Sequence, residues 1–317
     1  MKKHIFILIF AVLGTGILSA QPQSQLTIYG IRGPSSVGMI QLFENPPQYT
    51  GVNIKVEAVA QADLMAALFI SGDAKIGILP PNLAARIASS GRRIQVAAVL
   101  GTGMLTLLTS DPAIRNIEDL RGKTIEVAGQ GATPDYVFRK ILLSKRINPD
   151  SDLRLSYSLA YPEIAQSLIA GRVSTALLPE PFATMAKSGN PNLREISDIQ
   201  REWIQAGGNA DYPMTVLVVD ADFARTQSTL LRTILNAFKS SIEWVNANPR
   251  EAGTLVEKHD LGLRAPIVTA SIPRSNYVFI PAITARNSLE GLFKAFLEFS
   301  PNSIGGRLPA DSFYLAW

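Results

Sequence analysis

The sequence predicts an α/β fold of two similar lobes, with mostly parallel sheets joined by two crossovers. Three observations carry that expectation. The 317 residues are about twice the size of an ordinary domain and can bury two cores. Apolar stretches with strand alternation take turns with stretches of helical spacing. The order of those stretches then repeats along the chain at a constant spacing.

Each repeat opens with a short alternating strand ending in glycine: Leu26-Thr27-Ile28-Tyr29-Gly30 in the first, Ile125-Glu126-Val127-Ala128-Gly129 in the second. A glycine-containing loop and a helix follow, the helix marked in the first repeat by Val37, Ile40 and Phe43. The second strands are Asn53-Ile54-Lys55-Val56 and Asp152-Leu153-Arg154-Leu155. The next helices, with Ile164, Leu168 and Ile169 as the apolar face in the second repeat, stop at Gly72 and Gly171, where glycine suits a left-handed residue. Third strands end at proline, in Ile78-Leu79-Pro80 and Leu177-Leu178-Pro179. Strands alternating with helices predict a largely parallel sheet covered on both faces.

After Glu180-Pro181-Phe182 and a polar stretch to Asp211-Tyr212-Pro213, Met214 to Val219 reads as a strand. Leu230 to Val245 then sets Leu231, Ile234, Leu235, Phe238, Ile242 and Val245 on one helical face. Further helices are expected near 251–258 and 288–299. This helical third cannot build a sheet of its own and is expected to pack on the first lobe. The division that follows is a leader over 1–20, the first part of lobe one over 21–105, lobe two over 106–213 and the rest of lobe one over 214–317. The crossings are expected near Leu105 to Thr109 and Met214 to Val219.

Met1-Lys2-Lys3-His4 is basic, Ile5 to Leu18 is apolar but too short to span a bilayer, and Leu18-Ser19-Ala20 precedes polar Gln21. That order is a secretory leader, with an uncleaved anchor as the alternative, and predicts a periplasmic protein beginning near Gln21. The formal net charge of +4 includes Lys2 and Lys3, and the remainder is scattered, which argues against a nucleic-acid partner. The chain has no cysteine, so disulfides, thiolate metal sites and an N-terminal lipid anchor on cysteine are excluded. Its two histidines are His4 and His259, too few for a histidine metal site, and His259 within Lys258-His259-Asp260 reads as a solvated surface residue. No metal and no cofactor are expected. Gly122-Lys123-Thr124 has Ile117 where a phosphate loop needs its first glycine. Gly101-Thr102-Gly103 and Gly129-Gln130-Gly131 have Thr106 and Pro134 where a dinucleotide fingerprint needs its third. Gly33-Pro34-Ser35-Ser36-Val37-Gly38 is not a nucleophile elbow.

Other segments resemble a known family. Ile117 to Ile125 with its Asp119-Leu120-Arg121-Gly122-Lys123 core, Gly129 to Pro134, Leu168 to Val173, and Leu178-Pro179-Glu180-Pro181-Phe182-Ala183 are similar to the substrate-binding proteins of the sulfonate, nitrate and thiamine-precursor (SsuA/THI5-like) class of ATP-driven importers. The resemblance runs from about Leu26 to Phe299. It implies the type II periplasmic-binding fold, a solute held in the cleft between lobes, an ABC permease and ATPase as partners, and a monomer without catalytic residues. The thiamine-pyrimidine synthases that share this fold depend on a histidine and a cysteine-rich segment, and this chain offers neither.

In open parallel sheets, ligands bind beyond the carboxyl ends of strands. Arg32-Gly33-Pro34-Ser35-Ser36 and Gly129-Gln130-Gly131-Ala132-Thr133 follow equivalent strands of the two repeats. Glycine admits backbone N–H groups to a ligand, and hydroxyls at a helix start sit in positive potential, so Arg32, Gly33, Ser35, Ser36, Gln130, Ala132 and Thr133 form a candidate site for an anionic group. Plain helix capping is the alternative role of those hydroxyls. A second ring comprises Pro80-Pro81-Asn82, Gly101-Thr102-Gly103, Pro179-Glu180-Pro181 and Asp211-Tyr212. Glu180 and Asp211 would suit a cationic solute instead. Tyr136, Phe182 and Tyr212 would stack on a flat ring. The expected function is capture of a small anionic or heteroaromatic solute for import; the alternatives are an enzyme on the same fold acting on a small aromatic carboxylate, and a ligand sensor for a membrane receptor.

Overall fold

The computed structural model describes residues 24–208 and 210–317. The leader and its cleavage site lie outside the described residues. The first lobe runs β1 (Ser24–Ile31), a 3-10 turn over Pro34–Met39, α1 (Ile40–Glu44), β2 (Val52–Val59), α2 (Ala62–Ser71), β3 (Ile76–Leu79), α3 (Pro81–Ser89) and β4 (Ile94–Thr102). The second runs β5 (Leu105–Thr109), β6 (Thr124–Val127), α4 (Thr133–Ser144), β7 (Arg154–Ser156), α5 (Tyr161–Ile169), β8 (Thr175–Pro179), α6 (Phe182–Gly189), β9 (Arg194–Glu195) and α7 (Ile199–Gln205). The chain then returns with β10 (Pro213–Asp220), α8 (Ala221–Thr226), α9 (Ser228–Ala247), α10 (Pro249–Lys258), α11 (Ala265–Ser271), β11 (Tyr277–Pro281) and α12 (Ala282–Phe299).

Two sheets result, ordered β11-β4-β10-β3-β1-β2 and β7-β6-β8-β5-β9. In each, the three repeat strands pair in parallel, as their helical connections require. The strand beside the third repeat strand comes from the far side of a crossing and is antiparallel: β10 against β3 in lobe one, β5 against β8 in lobe two. Within the second repeat, Ile125 pairs with Leu155 rather than with Leu153, the residue that the spacing sets opposite Ile54. A slip of two residues leaves the same side chains facing the core, which is why the repeat tolerates it.

Local chemistry accounts for the element ends. Gly72 closes α2 at φ 87°, its N–H bonding the carbonyls of Leu68 and Phe69, and Gly171 takes φ 68° at the corresponding point after α5. The apolar stripe of α9 is buried as its spacing predicts, from Leu231 through Phe238 to Val245. The C-terminal third packs on lobe one and is mainly helical, but it also adds β11, which extends the sheet edge beside β4. His259 is half-buried rather than solvated: its Nε2 lies 2.8 Å from a Glu44 carboxylate oxygen that Lys258 also approaches.

The crossings fall beside the segments expected to carry them. Leu105–Thr109 and β10 are strands buried in opposite sheets, so neither can act as a flexible joint. The chain passes between lobes at Gly103–Met104 and again between α7 and β10. Gly103 and Met104 both have positive φ, 64° and 60°. Gly103 N–H donates to the Tyr212 carbonyl at 3.0 Å, tying the two crossings together. Asp211 joins them a second time, accepting at one carboxylate oxygen from Thr102 Oγ1 and Gln200 Nε2, each at 3.0 Å. Further contacts bridge the lobes away from the crossings: Tyr136 of α4 lies edge-on to Phe296 and stacked on Phe299 of α12.

Burial pushes the Asp211 carboxyl above its ordinary value, against the hydrogen bonds from Thr102 and Gln200. The folded protein therefore holds that proton more tightly than the unfolded chain does. Ionising Asp211 costs stability at neutral pH, and the cost is relieved as the pH falls through the raised value toward 3.8. The stability difference between the parent and Asp211→Asn, measured by urea denaturation, is expected to move in the parent's favour between about pH 7 and about pH 4. A difference that stays constant over that range would contradict this account of the joint.

Candidate solute site between the lobes

The carboxyl ends of β1 and β3 in lobe one, and of β6, β7 and β8 in lobe two, deliver the starts of the following helices to one cleft. Between them lies a cavity of about 430 Å³, a size common for small-molecule sites. Proline recurs at these starts. Pro34 begins the 3-10 turn, Pro80 precedes α3, Pro134 and Pro162 sit in the first turns of α4 and α5, and Pro179 ends β8 before α6. All five line the cavity. Proline suits a helix start because its φ is already helical and the missing N–H has no partner within the helix. The same missing N–H removes a donor from the place where an anion would be held.

The loop before α4 loses a further donor. Asp135, buried in the first turn, accepts from Gly131 N–H at 2.9 Å through one oxygen; through the other it accepts from Arg139 Nε at 2.8 Å and Tyr157 Oη at 2.7 Å. A carboxylate of the protein therefore already takes the Gly131 donor of that loop.

What replaces donors is ring and aliphatic surface. Tyr161 and Phe182 stack on each other in the lobe-two wall, with centroids 5.7 Å apart and planes 24° apart. Tyr277 of β11 forms part of the lobe-one wall, its hydroxyl donating to the Pro34 carbonyl at 3.2 Å. Leu100, Met104, Met214, Leu261 and Leu263 add aliphatic surface. Burial pushes the Tyr161 phenol up to about 12, so it stays a neutral hydroxyl at any physiological pH.

Of the residues expected from sequence to form the site, Arg32, Gly33, Ser35, Pro80, Gly101, Ala132, Thr133 and Pro179 line the cavity. Ser35 and Thr133 line it with hydroxyls that have no protein hydrogen bond among the described residues. Gly101 leaves room in the floor, where an added Cβ would meet only the Met104 methyl, at 3.1 Å. Arg32 does not present a free charge: its Nε and Nη2 donate to the Asp260 carbonyl at 3.0 and 2.6 Å, and Nη2 also pairs with the Asp260 carboxylate.

The other expected residues stand outside the cavity lining, each for a physical reason. Ser36 is fully buried, its hydroxyl accepting from Ile31 N–H at 2.9 Å and donating to the Ile31 carbonyl at 2.7 Å. Pro81 and Asn82 turn into lobe one within the first turn of α3, leaving Pro80 at the surface of the cleft. Thr102 and Asp211 bond each other at the crossing. Tyr212 is a core residue, packed edge-on against Trp203. Glu180 is buried and held by Arg274, and Gln130 is exposed to solvent. Sequence reasoning missed Tyr161 and Pro162, although Ala160-Tyr161-Pro162 is a strand-to-helix turn of the same kind as Ala132-Thr133-Pro134. It also missed Leu261, Gly262, Leu263 and Tyr277, which reach the cleft only because the C-terminal third folds back on lobe one.

Residues 48–252, more than half of the chain, match the family model described as NMT1/THI5 like. The chain belongs to the NMT1/THI5-like family. No curated protein matches it. Among solved structures, an ABC transporter protein from Parabacteroides distasonis is 26% identical, covering 92% of this chain and 99% of its own at a TM-score of 0.80. The periplasmic aliphatic sulphonate-binding protein SsuA from Escherichia coli shares 15% identity, 89% and 94% coverage and a TM-score of 0.72. A cysteine-to-serine mutant of DszB in complex with biphenyl-2-sulfinic acid shares 15% identity, 89% and 93% coverage and a TM-score of 0.60. This NMT1/THI5-like chain thus has the two-lobed architecture of the type II periplasmic-binding proteins, with the place of a small solute in the interlobe cleft.

The two loop hydroxyls separate cleanly in their roles. Ser36→Ala removes two buried hydrogen bonds and is expected to lower unfolding stability by about 1–3 kcal/mol. Thr133→Ala breaks no protein hydrogen bond among the described residues and loses only the packing of one buried methyl, so a smaller loss, of about 1 kcal/mol or less, is expected. Urea denaturation of both variants checks this, and equal losses would contradict it.

Proposed function

We propose that this NMT1/THI5-like protein is the exported solute-capturing component of an ABC importer, and that its solute is a flat, largely apolar ring that is neutral or carries one peripheral anionic group. The observation that carries the reading is the set of five prolines that line the cavity, four of them at helix starts. A site built to hold a charged group would keep those N–H donors. The stacked pair Tyr161 and Phe182 offers a face for a ring, and the Ser35, Thr133 and Tyr161 hydroxyls are enough to orient polar substituents on its rim. The biphenyl-2-sulfinic acid held by DszB, whose fold is similar, has this chemistry: two rings and one small anionic group.

Binding without turnover is supported by the groups offered to the solute. No carboxylate or imidazole lines the cavity among the described residues, so the lining holds hydrogen-bonding groups but no side chain suited to moving a proton near neutral pH. The leader read from the sequence supports export, and the family architecture supports a membrane permease with its ATPase as the recipient of the solute.

Native mass spectrometry of protein purified without refolding is expected to reveal a ring-containing solute. Calorimetric titration against heteroaromatic compounds, aromatic acids and aliphatic sulfonates should then favour the ring compounds, and Phe182→Ala should weaken binding about tenfold or more. Tight binding of small aliphatic sulfonates, unaffected by Phe182→Ala, would overturn the reading.

A further inference from the structure

Arg274 reaches from one lobe to the other beside the first crossing. It ends the short 3-10 turn Ile272–Arg274 in lobe one, three residues before Tyr277. Its Nε donates to a Glu180 carboxylate oxygen at 3.0 Å, and its Nη2 to Glu195 at 2.6 Å. Both carboxylates belong to lobe two. Glu180 lies between the end of β8 and the start of α6, and Glu195 ends β9.

The surroundings place this pair of contacts over the joint itself. Glu180 N–H donates to the Met104 carbonyl at 2.9 Å, while Thr102 N–H donates to the Asn276 carbonyl at 3.3 Å. The segments carrying the two ends of the ion pair are thus each hydrogen-bonded to the crossing strand, on either side of Gly103. A group so near the axis of rotation moves little when the lobes turn, so its contacts can persist through opening and closing. The second oxygen of Glu180 accepts from Thr184 N–H at 3.0 Å, which ties the carboxylate to the first turn of α6. Glu180 is 1% exposed, and a buried carboxylate deprived of its counter-charge is costly, so this contact is strongly held. Glu195 takes a further hydrogen bond from Lys187 at 2.6 Å.

The same two segments carry walls of the solute cavity: Pro179 and Phe182 flank Glu180, and Tyr277 follows Arg274. We infer that Arg274 is a positioning residue that clasps the two lobes at the joint and sets the spacing between the Tyr277 wall and the Phe182 wall of the cleft. The inference rests on the solute-capture reading for its effect on affinity, but its mechanical part stands apart from any solute. A guanidinium suits the task because its rigid planar fork sets the directions of both carboxylates, whereas the donors of an ammonium rotate.

The test uses the absence of native cysteine. Spin labels on cysteines introduced at exposed Ala67 of α2 and Gln166 of α5 report the interlobe distance by pulsed electron resonance. Arg274→Met alone strands the Glu180 charge and can unfold the protein, so the deciding variant is Arg274→Met with Glu180→Gln. It is expected to melt cooperatively, to give a broader interlobe distance distribution than the parent without solute, and to bind the solute recovered from the parent at least tenfold more weakly. Arg274→Lys, which keeps the charge and one contact, should fall between the two on both readouts. A double variant with the parent's distance distribution and affinity would overturn the inference, reducing Arg274 to a counter-charge for Glu180. If the parent itself binds no solute, the functional reading fails while the distance measurement still decides the clasp.

Discussion

The constraint on which the structure depends is the exchange of strands between lobes. β5 leaves lobe one to lie antiparallel beside β8, and β10 leaves lobe two to lie antiparallel beside β3. Each crossing strand is fully integrated into the sheet it enters, so the connection between lobes shrinks to Gly103–Met104 and the segment before β10. Two short tethers fixed at adjacent points leave rotation about one axis as the easy motion. They also turn the carboxyl ends of both sets of repeat strands toward each other, and the segments that follow β1, β3, β6, β7 and β8 open on the same cleft.

The chemistry of the cleft follows from what those helix starts carry. Bare helix starts would gather N–H donors and positive potential from both sides and favour a strongly anionic solute. Proline at four of these starts, and the Asp135 carboxylate that takes the Gly131 N–H before α4, weaken that preference. The one arginine in the lining is held by Asp260. What remains is a slot of proline, aromatic and aliphatic surface with a few neutral hydroxyls, where affinity comes from excluding water from a flat solute and orientation from hydrogen bonds at its edge. The fold is similar to that of the sulphonate-binding protein SsuA.

Much of the fold was legible in the sequence because it rests on local signals. Strand alternation, glycine stops after α2 and α5, and the stripe on α9 each act within a few residues and survive as read. The repeat made the two-lobed plan visible before any contact was known. Less could be read where position depends on geometry across the chain. Which of the adjacent Ser35 and Ser36 faces the cleft is decided by the 3-10 turn, which buries Ser36 against Ile31. Tyr277 and the Leu261 to Leu263 loop enter the cleft through packing of the C-terminal third, and β11 exists because β4 offers an open edge. The prolines were in view in the sequence, Pro80 and Pro179 at equivalent points of the repeat. Their meaning required seeing that all five meet at one cavity.

The central claim is that the cleft selects surface and shape over charge. Calorimetric titration of the empty protein with a matched pair, a flat aromatic solute and the same ring bearing an added sulfonate, at low and at physiological ionic strength, tests it most directly. The account predicts that the neutral ring binds at least as tightly as the charged one and that salt changes its affinity little. An anion bound more than about tenfold tighter, with that advantage falling steeply as salt is added, would show that the helix starts hold charge after all.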